Sequence, residues 1–172
     1  MLEVDAALRT VLDHARPLAA LSATPTLGRV LGEDLRADLD SPPFAKALMD
    51  GYAVRSADLT AGDGTFTILE EVAAGFLPTL AVTAGTATRI YTGAKLPDGA
   101  DAVVKQELAV VSPDGRVTLS DSTARPGRNV MDRGREMRAG EVVLLKGTVL
   151  TPAVREILAG FGGAVDLRAN FL

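Results

Sequence analysis

Hydrophobic positions repeat with a helical period at both ends of the chain and with a strand-like period between them. Val4, Leu8, Val11 and Leu12 recur at i, i+4, i+7 and i+8, one stripe of an amphipathic helix over residues 3–15. Pro17 stops it, because proline cannot continue a helical hydrogen-bond ladder. Leu27, Val30, Leu31 and Leu35 share one face of a second, weaker pattern over 27–38. Gly28 and Gly32 reduce helix stability there, so only a short helix is expected. Towards the C-terminal end Thr151 is placed to cap a helix, with Pro152 at its first position. Val154, Ile157, Leu158 and Phe161 form its apolar face, and Gly162 and Gly163 end it. The tail AVDLRANFL reads as one more short strand.

From about Tyr52 to Leu119 the pattern changes. TFTILEEVA (65–73), TATRIYTG (86–93), DAVVKQELAVV (101–111) and RVTLS (116–120) are rich in Val, Thr and Ile. AGDG, LPDGAD and SPDG punctuate them as turns. Short strands at regular spacing suggest a small barrel-like β domain. The segment ARPGRNVMDRGREMRAG (124–140) breaks the pattern, and EVVLLKGTVL (141–150) is a strand pair or a strand bent at Gly147. The expected fold is α+β and mostly β. Residues 1–45 and 138–172 form one discontinuous α/β-containing domain, and residues 46–137 form an inserted β-barrel-like domain.

Composition narrows the function. The chain has 172 residues, enough for one or two domains with a core. Aromatics are only 4% with no Trp, so Val, Leu and Ala must fill the interior. A net charge of −4 argues against nucleic-acid binding. The absence of Cys excludes disulfides, thiolate metal sites and Cys nucleophiles, and the single His14 excludes a histidine-cluster zinc site. No apolar run of about eighteen residues is present to span a membrane. Without a basic-then-apolar leader pattern, a cytoplasmic location is expected.

Three stretches carry candidate chemistry. In SPPFAKALMDGYAV, Asp50 stands directly before Gly51 after a stiff proline loop. Asp-Gly is a common turn dipeptide that needs no function. A carboxylate held on an anchored loop can equally bind a metal cation or act as acid or base. In IYTGAKLPDGADAVV, the Thr92 hydroxyl beside a glycine can meet an oxyanion or satisfy its own turn, and Lys95 can serve an anion or sit in solvent. Five arginines, Arg128 and Arg133 among them, face Asp132 and Glu136 between residues 125 and 138. Guanidinium forks suit phosphate, although a solvated loop with weak surface pairs is the alternative. No Walker loop, dinucleotide fingerprint or nucleophile elbow appears.

The strings PPFAKALMDGYAV, IYTGAKLPDGADAVVKQE and GRNVMDRGREMRAGEVVLLKGTVLTPAVREILAGFG, preceded by LGRVLGEDLRA, occur in this order and at this spacing. Together they resemble the N-terminal half of the MoeA family, the molybdopterin molybdenumtransferases of gephyrin E-domain type. The resemblance covers residues 3 to 170. It implies molybdenum cofactor biosynthesis, with molybdenum from molybdate inserted into adenylated molybdopterin, AMP released and Mg2+ assisting. It further implies a homodimer, with molybdopterin adenylyltransferase as a possible partner and no nucleic acid or membrane. Carried over, the family's functional aspartate falls on Asp50, which is also the metal candidate, its threonine on Thr92, and its acidic residue on Glu136. This chain reads Gly134-Arg135-Glu136 where the family has Gly-Glu-Asp, so the carboxylate is one methylene longer and its acidic neighbour is arginine. Arg128, Arg133 and Lys95 are the expected contacts to the anionic ligand.

The family continues into a pterin-binding α/β domain with a TGDEL-like motif and a C-terminal β domain. The sequence ends at Leu172, before both. The polypeptide alone is therefore expected to be inactive or nearly so. A non-catalytic dimerisation or scaffold module with the same fold is the competing expectation, and an unrelated β-barrel that binds small anions is a third.

Overall fold

The computed structural model of the protein describes residues 3–14, 21–22, 27–59, 61–160 and 170–171. In chain order the elements are α1 (Val4–His14), β1 (Leu21–Ser22), β2 (Leu35–Arg36), β3 (Lys46–Ala47), β4 (Gly51–Val54), β5 (Asp63–Val72) and β6 (Thr86–Ile90). There follow β7 (Ala102–Lys105), β8 (Ala109–Val111), β9 (Arg116–Ser120), β10 (Val130–Met131), β11 (Val142–Leu144), α2 (Pro152–Gly160) and β12 (Asn170–Phe171). Among the described residues the fold is mostly β with two α-helices. The chain divides into two compact units, 1–38 with 140–172, and 39–139. The boundaries expected from sequence were 45/46 and 137/138. Pro42 and Pro43 thus fall inside the second unit.

In the first unit, α1 follows its apolar stripe. Asp5 in the first turn and His14 in the last suit the helix dipole. Val4, Leu8, Val11 and Leu12 all remain exposed. The helix expected over 27–38 does not form. Gly28 has φ +83°, outside helical space. The partners of this segment also come from far along the chain: Gly28 N–H donates to Leu150 C=O and Leu31 N–H to Thr148 C=O, both at 2.9 Å. The segment instead ends in β2, antiparallel to β11 with a register shift between Val142 and Leu144. Leu31 and Leu35 still reach a core, with Leu150 and Leu158. Thr151 caps α2 as expected, its Oγ1 accepting the Val154 N–H at 3.3 Å. The tail strand is present as β12, paired antiparallel with β1. Pro17, Phe161, Gly162 and Gly163 lie outside the described residues.

The second unit is built on a six-stranded sheet in the order β7-β4-β6-β5-β9-β8, curled into a half-barrel. The β5–β6 pair is parallel and the other pairs are antiparallel. Three expected strand segments match β5, β6 and β9. The fourth, 101–111, is split by a 3-10 turn at Gln106–Leu108 into β7 and β8.

Strand β4 lies inside the sheet between β6 and β7, and all four of its residues are buried. Its side chains alternate between two cores. Tyr52 and Val54 join Phe66, Ala87, Val104, Val117 and Leu119. Ala53 joins Ala47, Val72, Ile90, Ala94 and Val103. The abundance of Ala and Val in both clusters is how a chain so poor in aromatics closes its interior.

The arginine-rich segment has a structural task here. Along the β7 edge, Val103 N–H donates to Arg128 C=O at 2.9 Å and Gly127 N–H to Asp101 C=O at 2.8 Å. Asn129 Nδ2 donates to Val103 C=O at 2.8 Å. The loop thereby covers groups that an open sheet edge would leave unpaired. Residues Val130–Met131 continue as β10, antiparallel to β3.

Candidate functional site

Gly51 is the meeting point of three strand ends. Strand β6 runs antiparallel to β4, so its last residue, Ile90, lies opposite Gly51. Strand β7 is antiparallel to β4 on the other side, so its last residue, Lys105, also lies opposite Gly51. A Cβ at Gly51 would overlap the Val104 carbonyl oxygen and stand 3.0 Å from Lys105 Cα. Glycine is therefore required for this approach. Asp50, one residue earlier, is set at the common end of these strands. This is the physical reason for a carboxylate directly before a glycine in MDGYAV.

Two residues beyond Ile90, the chain turns back onto Asp50. The Thr92 N–H donates to Asp50 Oδ1 at 2.8 Å, and the Thr92 hydroxyl donates to the same oxygen at 2.7 Å. The turn is backed by β3, with Gly93 N–H to Ala47 C=O at 2.8 Å and Ala47 N–H to Ala94 C=O at 3.0 Å. On the other flank, Gln106 N–H donates to Asp50 C=O at 3.0 Å. Asp50 is thus held through side chain and main chain by two different segments.

The hydrogen bonds from the Thr92 hydroxyl and then its amide keep the Asp50 carboxyl below its ordinary pKa. The group is a carboxylate at neutral pH. Among the described residues no hydrogen bond reaches its second oxygen, Oδ2, which stays available to a ligand. The Thr92 proton is committed to Asp50, so in this arrangement Thr92 orients the carboxylate and does not offer a donor to an anion.

A cavity of about 530 Å³ opens over this pair, lined by Met49, Asp50, Thr92, Lys105, Gln106, Glu107 and Leu108. Two residues singled out from sequence, Asp50 and Thr92, are brought together in it. The others are placed elsewhere in the same unit. Glu136 accepts a hydrogen bond from Ser41 Oγ at 2.8 Å. Arg133 Nε donates to Asp40 Oδ2 at 2.6 Å. A hydrogen bond from Ala139 N–H and then Arg133 hold the Asp40 carboxyl low. Lys95 forms an antiparallel bridge with Lys46. Arg128 has a buried Nε without a hydrogen-bond partner among the described residues. It stands near the buried Asp121, where burial raises the carboxyl pKa but hydrogen bonds from Thr123 and the charges of Arg128 and Lys105 bring it below its ordinary value.

Lys105, Gln106 and Glu107 were not singled out from sequence. Their approach to Asp50 comes from the pairing of β7 with β4, which no local pattern encodes. The nearest available signal is that KQE directly follows the apolar run AVV, where a buried strand must surface.

The geometry defines a mostly β protein with an open cleft at the shared end of three strands, where Asp50 and Thr92 meet. Residues 2–162 match the family model described as the MoeA N-terminal region (domain I and II), and the chain belongs to this family. It is 34% identical over 152 residues to the molybdopterin molybdenumtransferase of Staphylococcus aureus, covering 86% of this chain and 36% of that protein. It is 35% identical over 155 residues to a putative molybdopterin biosynthesis protein of Methanocaldococcus jannaschii, covering 90% of this chain and 37% of that protein. The crystal structure of the molybdopterin biosynthesis moeA protein from Pyrococcus horikoshii OT3 is similar at a TM-score of 0.78 and 32% identity, over 96% of this chain and 44% of that one. The chain therefore spans little more than a third of the length of the curated relatives it matches. No helix among the described residues is long and apolar enough to cross a membrane.

Proposed function

We propose that this chain supplies the Asp50–Thr92 side of a cleft for molybdenum cofactor biosynthesis. The reaction is insertion of molybdenum from molybdate into adenylated molybdopterin, with release of AMP. The observation that carries the reading is the pair of Thr92 donors on one oxygen of Asp50, which leaves Oδ2 without a hydrogen bond among the described residues, in a residue that lines the cleft. Similarity to molybdopterin molybdenumtransferases supports the reaction class.

In this reading Asp50 stays ionised, accepts hydrogen bonds from the polar part of the substrate, and is kept in one orientation by Thr92 and Gln106. Glu136, held by Ser41 outside the lining of this cleft, contributes a second carboxylate to the complete enzyme. The domains beyond this region, in the same or a second polypeptide, supply the pterin-binding side.

The residues fit magnesium in a limited way. Among the described residues no group of three or more His, Cys, Asp or Glu side chains forms a metal cage. Magnesium is commonly held by one or two carboxylates together with substrate phosphates and water, and the free Asp50 Oδ2 is such a ligand. When bound, the ion would neutralise charge on the substrate phosphates.

A homodimer is part of the same proposal, and molybdopterin adenylyltransferase is the proposed donor of the adenylated substrate. The exposed stripe of Val4, Leu8, Val11 and Leu12 on α1 favours a second reading, a dimerisation module without catalysis. One experiment separates the two. Residues 3–160 replace the matching region of the Staphylococcus aureus enzyme, and the chimaera is assayed for molybdate-dependent AMP release. Activity supports the enzymatic reading. A folded, dimeric and inactive chimaera supports the scaffold reading.

A further inference from the structure

The cations expected from sequence to receive an anionic ligand do not line the cleft over Asp50. Arg133 is engaged with Asp40 at 2.6 Å. Arg128 lies against the β7 edge with Asp121 near it. The cleft has a different cation, Lys105.

Three features fix Lys105 there. It ends β7 directly opposite Gly51, the residue after Asp50. Its Cα can come that close only because Gly51 has no side chain. The next amide, Gln106 N–H, is tied to the Asp50 carbonyl at 3.0 Å. The stem of Lys105 therefore starts from a rigid strand end, where little order remains to be gained on binding. Among the described residues no hydrogen bond or ion pair holds its ammonium; Asp121 lies near enough to feel its charge but takes its own hydrogen bonds from Thr123 at 2.8 and 2.6 Å. A lysine that lines a cleft from a fixed base, with an ammonium not held by any hydrogen bond among the described residues, is suited to receive an oxyanion, as a point charge with three donors.

We propose that Lys105 is the phosphate-binding residue of the Asp50–Thr92 cleft, taking a phosphate oxygen of the ligand beside the Asp50 carboxylate. The inference rests on the reading of this cleft as one that handles a phosphorylated substrate, and it transfers the anion contact from the arginine-rich loop to the end of β7. Asp50 and Glu107 line the same cleft, so among the described residues an anion there meets two carboxylates and one cation. Binding without metal is correspondingly weak and sensitive to each charge.

The test is a titration of this 172-residue chain with inorganic pyrophosphate, followed by amide NMR shifts. Shifts are expected at Lys105, Gln106 and Thr92. Lys105→Gln weakens binding about tenfold, the loss of one charge-assisted hydrogen bond, while Lys105→Arg restores most of it. Asp50→Asn tightens binding, because a repelling charge is removed. Equal binding by wild type and Lys105→Gln, or shifts confined to residues 125–138, would overturn the assignment. The Asp50→Asn chimaera, assayed for AMP release, separates this failure from failure of the underlying reading. Loss of AMP release there, with no effect of Lys105→Gln on the KM for adenylated molybdopterin, rejects Lys105 alone.

Discussion

Thr92 places two donors, its amide at 2.8 Å and its hydroxyl at 2.7 Å, on a single oxygen of Asp50. Both favour the charged carboxylate. Removing the hydroxyl removes the larger of the two effects that lower the Asp50 pKa. In Thr92→Val the Asp50 carboxyl therefore titrates at a higher pH than in the parent chain, and in Thr92→Ser it stays low. Side-chain carboxyl carbon NMR reads this directly. An Asp50 pKa unchanged in Thr92→Val would show that the hydroxyl bond is not made in solution.

Gly51 allows β7 to reach the start of β4. In Gly51→Ala the new methyl meets backbone at the Val104 carbonyl, which cannot swing away as a side chain does. The variant should lose about 1–3 kcal/mol in urea unfolding, the usual effect of overpacking. The amides of Lys105 and Gln106 should shift in NMR spectra. An unchanged unfolding midpoint would mean that the strand ends are looser than described.

Glu70 organises the long crossover between β5 and β6. Its carboxylate accepts the Thr79 and Leu80 amides, both at 2.9 Å, and the Thr79 hydroxyl at 2.7 Å. The hydroxyl bond is the largest cause of a carboxyl pKa below the ordinary 4.5. A lowered folded value means the stabilisation is complete above 4.5 and fades as pH falls through the folded value. Glu70→Gln is therefore less stable than the parent at neutral pH, and the gap closes in acid. A gap that is constant or widens as pH falls contradicts the clamp.

Phe66 and Phe76 are indistinguishable in kind by sequence, yet one is 1% and the other 70% exposed. Phe66 packs with Tyr52, Val117 and Leu119, and Phe66→Ala should cost about 3–5 kcal/mol. Phe76→Ala, on the crossover, should change stability by less than about 0.5 kcal/mol. Paired denaturant curves decide it, and comparable losses would contradict the described core.

Legibility followed the range of the forces involved. The α1 stripe and the Thr151 cap were readable because their periodicity and capping are local. The β9 segment was readable because RVTLS alternates strictly, and its Val117 and Leu119 are buried. Residues 27–38 misled because the i, i+4 spacing of Leu31 and Leu35 also fits extended chain packing on Leu150 and Leu158. Asp50 and Thr92 were legible as candidates from MDGYAV and YTGA, and the hydrogen bond joining them depends on strand pairing. Lys105 was not legible as a neighbour of Asp50, because register across β4 and β7 is a long-range property.

The central claim is that Asp50 is the working group of the cleft. The most direct measurement is molybdate-dependent AMP release by the chimaeric enzyme carrying Asp50→Asn, with its thermal midpoint recorded alongside. The account predicts a loss of at least about tenfold in an enzyme that stays folded at the assay temperature with only a modest fall in midpoint, since amide for carboxylate preserves shape, removes charge and gives up the stabilisation of a carboxylate held below its ordinary pKa. Full activity in a folded Asp50→Asn enzyme would contradict it.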